Sequence, residues 1–229
     1  MKKFAIIVAA GNGKRMGSSI PKQFLLLKEK PILFYSLKAF LEAYDDLRII
    51  LVLPAEHADI GKEVIDAYFD YNRIDVTSGG ETRFDSVKNG LQFVPEDSIV
   101  FVHDAARCMI SSDLIRRCYE HTLQLGSAVP VIRPKDSMRL LNEERNDNEV
   151  LDREKIVLVQ TPQTFYSKIL KAAYQIDFKE RFTDEATVVE ALGMKISLIE
   201  GEEFNIKITT PVDLQFAETL MDSIVEQSS

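Results

Sequence analysis

This sequence is poor in cysteine and in long apolar runs, and both absences narrow the class of protein. Its 229 residues contain two cysteines, Cys108 and Cys118, which form neither a metal-binding pattern nor a disulfide framework. We interpret them as small apolar residues of the interior and expect a reducing, cytoplasmic setting. No stretch approaches the length of a membrane span, and the apolar run at residues 4–9 is too short for a signal peptide, so we expect neither.

Basic residues are fewer than acidic ones. The 28 lysines and arginines are outnumbered by 36 acidic residues, which gives a formal net charge of −8. A general nucleic-acid binder needs a basic surface, so this balance argues against one while leaving room for a local basic pocket. The 45% hydrophobic and 28% charged residues are ordinary for a soluble globular protein. Since no repeat, low-complexity linker or second domain is evident, we expect one domain over residues 1–229.

The most distinctive stretch is residues 4–23, where an apolar run predicts a buried strand that opens into a glycine-rich loop. This loop combines three glycines with three cations: Gly11, Gly13, Gly17, Lys14, Arg15 and Lys22. It does not match the P-loop, and the third glycine comes one residue late for the dinucleotide fingerprint. Glycines let backbone N–H groups approach an anion, and three cations favour a highly charged group such as a nucleoside triphosphate. The alternative is a turn between strand and helix with a solvated basic rim.

Short apolar strands alternate with helical patterns through most of the chain. Strands are predicted at residues 4–9, 48–53, 74–77, 99–102, 128–132, 157–163 and 195–199, and helices begin near residues 31, 57, 83, 112, 168, 183 and 210. This alternation predicts an α/β fold with a mainly parallel twisted sheet and helices on both faces. Ligands bind outside the carboxyl ends of such strands, so the loops at residues 11–22, 79–86 and 104–107 should gather at one edge of the sheet.

The apolar spacing also predicts the buried faces of two helices, and a threonine predicts the start of a third. In the second predicted helix, Ile60 and Tyr68 are expected on the buried face. In the fourth, Leu123 is expected there as well. Thr183 is expected to be the N-cap of the sixth helix, because threonine side chains accept hydrogen bonds from the first turn.

The alternation breaks between residues 133 and 155. Residues 139–149 are so rich in charge that they cannot bury themselves, and apolar residues flank them. We expect a protruding hairpin or arm at about residues 134–156, inserted between sheet strands. An arm with apolar flanks usually docks on something, and a second copy of the chain is the simplest partner, so we expect a homodimer. The alternative is a mobile surface loop.

Several short motifs stand in a fixed order along the chain. They are AAGNGKRM at residues 9–16, PKQ at 21–23, GGE at 79–81 with Arg83 and Ser86, HDAAR at 103–107, TPQ at 161–163, TDEA at 183–186 and NIKIT at 205–209. The first resembles the nucleotide loop of sugar-phosphate nucleotidyltransferases. The whole set resembles the 2-C-methyl-D-erythritol 4-phosphate cytidylyltransferase family, from the first strand to the last helix. The family usually has proline where this chain has Cys108.

The resemblance implies a Rossmann-like nucleotidyltransferase fold and the transfer of a cytidylyl group from CTP to a sugar-alcohol phosphate, with release of pyrophosphate. The nearest rival is the ribitol-5-phosphate cytidylyltransferase family, which shares the glycine loop and TPQ but usually departs from the DAAR, TDEA and NIK forms that this chain has at residues 104–107, 183–186 and 205–207. A non-catalytic nucleotide-binding module is a third possibility. It would be expected to lack Lys22, Asp104 or Lys207, and the sequence keeps all three.

The resemblance also implies roles for individual residues in the nucleotide site. Cations that stabilise charge during the transfer would be Arg15, Lys22 and Lys207. Arg15 and Lys22 would also hold the triphosphate. The nucleotide would lie against Ala9, Ala10, Gly11, Gly13, Asp104 and Ala105, while Gly80, Glu81 and Ser86 would read the cytosine edge. Asp104 would bind Mg²⁺, the implied cofactor. His103, next to it, we interpret as a structural hydrogen-bonding group rather than a catalyst.

Methylerythritol phosphate would be held by a second group of residues. By the same resemblance these are Asp104, Arg107, Thr183 and Lys207 within one subunit, and Ser137 and Arg153 on the arm of a partner. The implied partners are therefore two small molecules, CTP and methylerythritol phosphate, and a second copy of the chain, with no nucleic acid and no membrane.

Overall fold

In the computed structural model, which describes residues 1–11, 16–17, 20–142, 144 and 146–227, strands and helices alternate along the chain. The strands are β1 (Lys2–Val8), β2 (Leu26–Leu27), β3 (Lys30–Pro31), β4 (Leu47–Leu53), β5 (Ile74–Ser78), β6 (Ser98–Asp104), β7 (Ser127–Ile132), β8 (Met138–Asn142), β9 (Asp147–Leu151), β10 (Leu158–Val159), β11 (Gln163–Tyr166) and β12 (Leu198–Glu200). The helices are α1 (Ile32–Ala43), α2 (Ala58–Tyr68), α3 (Arg83–Leu91), α4 (Ser112–Leu125), α5 (Ser167–Ala173), α6 (Glu185–Glu190) and α7 (Pro211–Gln227).

The central sheet has eight strands, seven of them in the order β10-β7-β11-β6-β1-β4-β5, with β12 also paired to β7. Parallel pairing joins β6, β1, β4 and β5. The strand β11 runs antiparallel to both of its neighbours, β6 and β7, and β10 runs antiparallel to β7. The sheet is therefore mainly parallel, as the sequence predicted, and Rossmann-like.

Helices cover both faces of the sheet because consecutive strand residues point to opposite sides. In β1, Ala5 and Ile7 join a core cluster that also contains the apolar faces of α1, α2 and α4. Phe4 and Ile6 join the opposite cluster, with α3, α5 and α6. The prediction of helices on both faces is confirmed. No helix in the described part of the chain is long and apolar enough to cross a membrane.

The buried faces of two helices are narrower than the sequence predicted. Ile60 and Tyr68 are each 41% exposed and Leu123 is 42% exposed, so these three predictions are wrong. In α2 the buried face is formed by Gly61, Val64 and Ile65, which leaves Ile60 at the edge of that face, and Tyr68 is the last residue of the helix. Gly61 packs so closely on Leu53 that a side chain there would collide with it. In α4 the buried residue at this turn is Thr122 rather than Leu123, and the Thr122 hydroxyl donates to the carbonyl of Cys118 at 2.8 Å.

The N-terminus of α6 also differs from the prediction. Asp184, not Thr183, is the N-cap: its carboxylate accepts a hydrogen bond from the backbone N–H of Thr187 at 3.0 Å. The hydroxyl of Thr187 in turn accepts one from the backbone N–H of Asp184 at 3.3 Å. Together the two bonds form a capping box, which satisfies the backbone N–H groups of both Asp184 and Thr187.

The charged segment after the sheet is a two-stranded hairpin of β8 and β9, paired from Met138–Leu151 to Asn142–Asp147. We call β8, β9 and the residues between them the arm. Its apolar side chains face outward, and Leu141 and Val150 are 69% and 68% exposed. The hairpin agrees with the sequence expectation.

Candidate active site

A cleft of about 720 Å³ opens at the carboxyl ends of β1, β4, β5 and β6. Its lining comes from loops that are far apart in the sequence, namely residues 8–11, 22–23, 54–56, 79–83, 86, 104–106 and 207. The glycine-rich loop, the Gly79 segment and the Asp104 segment thus meet at one edge of the sheet, as the sequence predicted. The volume is that of a small-molecule site.

The described part of the glycine-rich loop is held by the buried side chain of Gln23. Its amide nitrogen donates to the carbonyl of Ala9 at 2.7 Å, and the backbone N–H of Ala9 donates to Val52 at 2.9 Å. Ala9, Ala10 and Gly11 line the cleft in consequence. The predicted site residues Gly13 and Arg15 lie outside the described residues.

The segment after β5 is packed tightly against this loop. A Cβ atom on Gly79 would lie 2.7 Å from the Cβ of Ala10, so only glycine allows the approach. The backbone N–H of Gly80 donates to the hydroxyl of Ser86 at 3.1 Å, and that hydroxyl donates to the carbonyl of Thr82 at 2.9 Å. Ser86 therefore fixes the shape of the segment, while Glu81 stands exposed at the cleft.

Asp104 ends β6 and forms the electrostatic centre of the cleft. The Nε of Arg83 lies 3.0 Å from Asp104 Oδ1, and the Nζ of Lys207 lies 2.6 Å from Asp104 Oδ2. Burial by itself would raise the pKa of this carboxyl, but the charges of Arg83 and Lys207 outweigh burial and hold the pKa well below its usual range. Asp104 is therefore ionised at neutral pH, with one cation on each oxygen.

Arg83 continues this charge network into the interior. Its Nη1 and Nη2 lie 2.6 Å and 3.1 Å from the two carboxylate oxygens of Glu185. The hydroxyl of Tyr174 donates to Glu185 Oε1 at 3.1 Å. Burial would lower the pKa of Arg83, yet the carboxylates of Glu185 and Asp104 raise it well above its ordinary value.

Sequence reasoning gave no role to Glu185, although its motif was recognised. The only signal was position: Glu185 begins a short helix whose next residues include the buried Ala186, Val188 and Val189. A charged residue among buried apolar side chains needs a partner of opposite charge. Which arginine would supply it could not be read from the sequence.

His103 is fully buried beside Asp104 and uses both ring nitrogens. Nε2 lies 3.1 Å from the carbonyl of Arg107, so it must donate, and Nδ1 accepts from the hydroxyl of Thr161 at 3.0 Å. That hydroxyl accepts the backbone N–H of Asp104 at 3.1 Å. Burial lowers the pKa of His103 to about 3, so the ring is neutral. The arrangement agrees with the structural role expected for it.

The two described lysines of the predicted site approach the cleft from different segments. The Nζ of Lys22 donates to the carbonyl of Ile208 at 3.1 Å. The backbone N–H of Ile208 donates to Ala106 at 2.9 Å, and the amide of Asn205 donates to the carbonyl of Thr161 at 2.9 Å. Both bonds hold residues 205–208 against the Asp104 segment, which places Lys207 and Lys22 in the same cleft.

Four predicted substrate residues lie outside the cleft lining. The guanidinium of Arg107 donates to the carbonyls of Asn205 at 2.9 Å and Val159 at 3.2 Å, and burial lowers its pKa. The others are exposed: Thr183 before α6, and Ser137 and Arg153 next to the arm. Arg153 donates to the carbonyl of Lys135 at 2.9 Å.

The donor set is suited to a metal ion shared with a ligand rather than held by protein alone. Among the described residues there is no group of three or more histidine, cysteine or acidic side chains that could hold an ion. Asp104 brings a single ionised carboxylate to the cleft. Mg²⁺ is typically bound by one or two carboxylates together with substrate phosphates, so Asp104 fits that ion.

Comparison with known proteins adds a second line of evidence. The chain matches the family model for 2-C-methyl-D-erythritol 4-phosphate cytidylyltransferase over residues 4–223. It is 45% identical over 222 residues to the protein of that name from Bacteroides thetaiotaomicron, and 43% identical over 221 residues to the one from Phocaeicola vulgatus; each alignment covers 96% of this chain and 100% of the relative. The crystal structure of a 4-diphosphocytidyl-2C-methyl-D-erythritol synthase from Anaerococcus prevotii superposes with a TM-score of 0.82 at 26% identity, covering 96% of this chain and 97% of that one.

Proposed function

This chain belongs to the 2-C-methyl-D-erythritol 4-phosphate cytidylyltransferase family, and on that basis we propose how its cleft carries out the reaction. It is a nucleotidyltransferase that transfers a cytidylyl group from CTP to 2-C-methyl-D-erythritol 4-phosphate. The products are 4-diphosphocytidyl-2-C-methyl-D-erythritol and pyrophosphate, in non-mevalonate isoprenoid precursor biosynthesis. The observation that carries the assignment to this cleft is the meeting of Lys22, Asp104 and Lys207 beside the glycine-rich loop.

The reaction needs charge stabilisation more than proton transfer. A phosphate oxygen of the sugar-alcohol phosphate attacks the α-phosphorus of CTP, and that oxygen is already anionic near neutral pH. Negative charge then has to be stabilised on the α-phosphoryl group and on the leaving pyrophosphate. We assign this stabilisation to Lys22 and Arg15, and we assign Lys207 to the two phosphates that react.

The backbone of the glycine-rich loop supplies the remaining triphosphate contacts. We propose that Ala9, Ala10, Gly11 and Gly13 place their peptide groups against the nucleotide, with Ala105 on the opposite wall. The hydrogen bond of 3.0 Å from the N–H of Ala105 to Val8 supports this placement, because it brings the two walls together.

We assign recognition of cytosine to the segment Gly80, Glu81 and Ser86. The Ser86 hydroxyl already bonds Gly80 and Thr82, so its part is to hold the segment in shape. The Glu81 carboxylate is a hydrogen-bond acceptor at the cleft surface, which suits the exocyclic amine that distinguishes cytosine from uracil.

We propose Mg²⁺ as the cofactor, held by Asp104 and by the phosphates of CTP. When bound, the ion would neutralise phosphate charge and orient the triphosphate. Asp104 contributes an ionised carboxylate, and Arg83 and Lys207 each contact one of its oxygens before the nucleotide arrives.

The binding of methylerythritol phosphate is proposed to involve two subunits. Asp104, Arg107, Thr183 and Lys207 would act within one subunit, and Arg153 of the partner subunit and the partner's Ser137 would complete the site. The exposure of Ser137 and Arg153, outside the cleft of their own chain, supports this division. We also propose a cytoplasmic location, which the two buried free thiols support.

Pyrophosphate release tests the function directly. The purified chain is given CTP and Mg²⁺ with either methylerythritol 4-phosphate or ribitol 5-phosphate. Release with the first substrate alone is the expected result. Release with ribitol phosphate alone would overturn the assignment of Arg107, Thr183 and Lys207, and release with neither, despite CTP binding, would favour a non-catalytic nucleotide-binding protein.

A further inference from the structure

Behind the cleft, the buried carboxylate of Glu185 pairs with the same arginine as Asp104, namely Arg83. Glu185 is fully buried and does not line the cleft, whereas Arg83 does. Of the guanidinium nitrogens, Nη1 and Nη2 both engage Glu185, and only Nε engages Asp104. Asp104 therefore gives Arg83 one oxygen, Oδ1, and its other oxygen, Oδ2, stands on the side of Lys207.

Glu185 is itself fixed from two directions. The hydroxyl of Tyr174 donates to its Oε1, and the Tyr174 ring stacks on Phe84 with ring centroids 4.5 Å apart. The next residue, Ala186, donates its backbone N–H to Gln163 Oε1 at 2.7 Å, which anchors the first turn of α6 to β11. The carboxylate thus has little freedom to follow Arg83 if the arginine moves.

We propose that Glu185 is a positioning residue that keeps both Nη groups of Arg83 away from Asp104, so that Asp104 can offer Oδ2 to a divalent cation. In the free enzyme that oxygen is held by Lys207, which would exchange it for the cation when the nucleotide binds. The inference rests on the metal role proposed above for Asp104.

The geometry of the guanidinium group explains why this position needs an anion. Arginine and carboxylate prefer a bidentate pairing through two parallel N–H groups. Without a charge at Glu185, the strongest remaining partner for Arg83 is Asp104, and a bidentate pair would occupy both of its oxygens. A divalent cation would then have to displace a guanidinium group as well as a lysine.

Manganese binding provides a test that does not depend on turnover. Mn²⁺ binding in the presence of CTP is measured by electron paramagnetic resonance for the wild type, Asp104→Asn, Glu185→Gln and the control Glu190→Gln. Glu190 is an exposed acid at the end of the same helix. We expect roughly tenfold weaker Mn²⁺ binding in E185Q, as is typical when a residue behind a metal ligand is lost. The same shift should appear in the Mg²⁺ concentration for half-maximal rate, and E190Q should match the wild type.

A double variant tests whether the effect passes through Arg83. In Arg83→Gln/Glu185→Gln both charges of the buried pair are removed, so no guanidinium competes for Asp104, and Mn²⁺ affinity should return to within about threefold of the wild type. Failure of this restoration would overturn the inference. If E185Q does not fold, Glu185→Asp replaces it, with weaker Mn²⁺ binding expected because the carboxylate is withdrawn by one methylene.

The outcomes separate this inference from the proposed function. A folded E185Q with wild-type Mn²⁺ affinity and only a lower melting temperature would show a merely structural role and overturn the inference. If D104N binds Mn²⁺ as the wild type does, the metal role of Asp104 is wrong and the inference falls with it. Weak binding in D104N and normal binding in E185Q would leave the proposed function intact and reject this inference alone.

Discussion

At the scale of single residues, the cleft brings side chains of both charges together. The charged residues that line it are Lys22, Arg83, Lys207, Glu56, Glu81 and Asp104. Exposed charges more than about 8 Å apart are largely screened at physiological ionic strength, so the formal net charge of −8 says little about the field inside the cleft. What matters for an anionic substrate is which of these few cations can reach its phosphates.

Lys22 should be essential for turnover but not for folding. Lys22→Ala is expected to lower kcat by on the order of a hundredfold, because one preorganised charge at the reacting phosphates is lost. The control is Lys195→Ala, at an exposed lysine away from the cleft. Pyrophosphate release gives the rate and thermal melting the stability. Near-normal turnover in Lys22→Ala would remove this lysine from its proposed role.

His103 should make the protein less stable as the pH falls. Its pKa is about 3 in the folded protein and about 6.5 in an unfolded chain, so between these values only the unfolded chain binds the proton. The free energy of unfolding should then decrease with falling pH, by up to about 1.4 kcal/mol per pH unit from this group. Urea unfolding of the metal-free protein at pH 7 and pH 5.5 measures the slope. His103→Gln should have a shallower slope than the wild type, and equal slopes would contradict the burial argument.

At the scale of elements, two capped helix starts build the charge network. Arg83 is the first residue of α3, fixed by a capping box between Thr82 and Asp85. Glu185 is the first residue of α6, fixed by the box at Asp184. Because each side chain leaves a rigid first turn, the salt bridge between them loses little conformational entropy on forming.

The cap of α6 can be tested against the residue beside it. Asp184→Ala should lower the free energy of unfolding by about 1 kcal/mol, because it leaves the N–H of Thr187 without its acceptor. Thr183→Ala should change it by less than about 0.5 kcal/mol, as is usual for an exposed side chain. Urea unfolding of both variants measures the two changes. A larger loss of unfolding free energy in Thr183→Ala than in Asp184→Ala would identify Thr183 as the cap.

The same Thr183→Ala variant also tests the proposed binding site for methylerythritol phosphate. If Thr183 contacts methylerythritol phosphate as proposed, its loss should raise the KM for that substrate while stability stays near that of the wild type.

At the scale of the whole molecule, the arm presents apolar side chains that this chain leaves uncovered. Leu141 and Val150 lie on one face of the hairpin and are 69% and 68% exposed, and Leu140, 51% exposed, lies on the other face. Neighbouring exposed apolar residues such as Leu141 and Val150 are typical of an interaction surface. A second copy of the chain is the partner we propose, and in such a dimer Arg153, beside the arm, would act in the site of the partner subunit.

Mixing two inactive variants tests whether Arg153 acts across subunits. Lys22→Ala and Arg153→Ala should each be poorly active alone. In a mixed dimer, one of the two sites combines an intact Lys22 with the intact Arg153 of the partner subunit. With random pairing half of the dimers are mixed, so about a quarter of wild-type activity should return.

No recovery in mixtures that have exchanged subunits would show that Arg153 acts within its own chain, or not at all. As the control, each variant is taken through the same mixing procedure alone. Light scattering on the wild type establishes whether it is dimeric at the concentrations used.

Local patterns in the sequence were enough to predict the alternation of elements, the mainly parallel sheet and the edge at which the loops meet. These follow from apolar periodicity and glycine placement, which act over a few residues at a time. The sequence also predicted that Cys118 would be buried, from its place on the apolar side of a helical pattern, and that an arm at about residues 134–156 would leave the sheet, because residues 139–149 are too highly charged to be buried. The ordered motifs indicated the family for the same reason: each is local in the chain.

The pairing of the charges in the cleft, by contrast, depends on the assembled fold. Arg83, Asp104 and Glu185 are separated by as many as 102 residues, and their partners are set by the register of β6 and the starts of α3 and α6. The same holds for the exposure of Ile60, because tertiary packing sets which face α2 buries, and that face is formed by Gly61, Val64 and Ile65. Side-chain pairing across the fold depends on distances that no local pattern encodes, so the contacts of Arg83 appear only once the sheet and its helices are assembled.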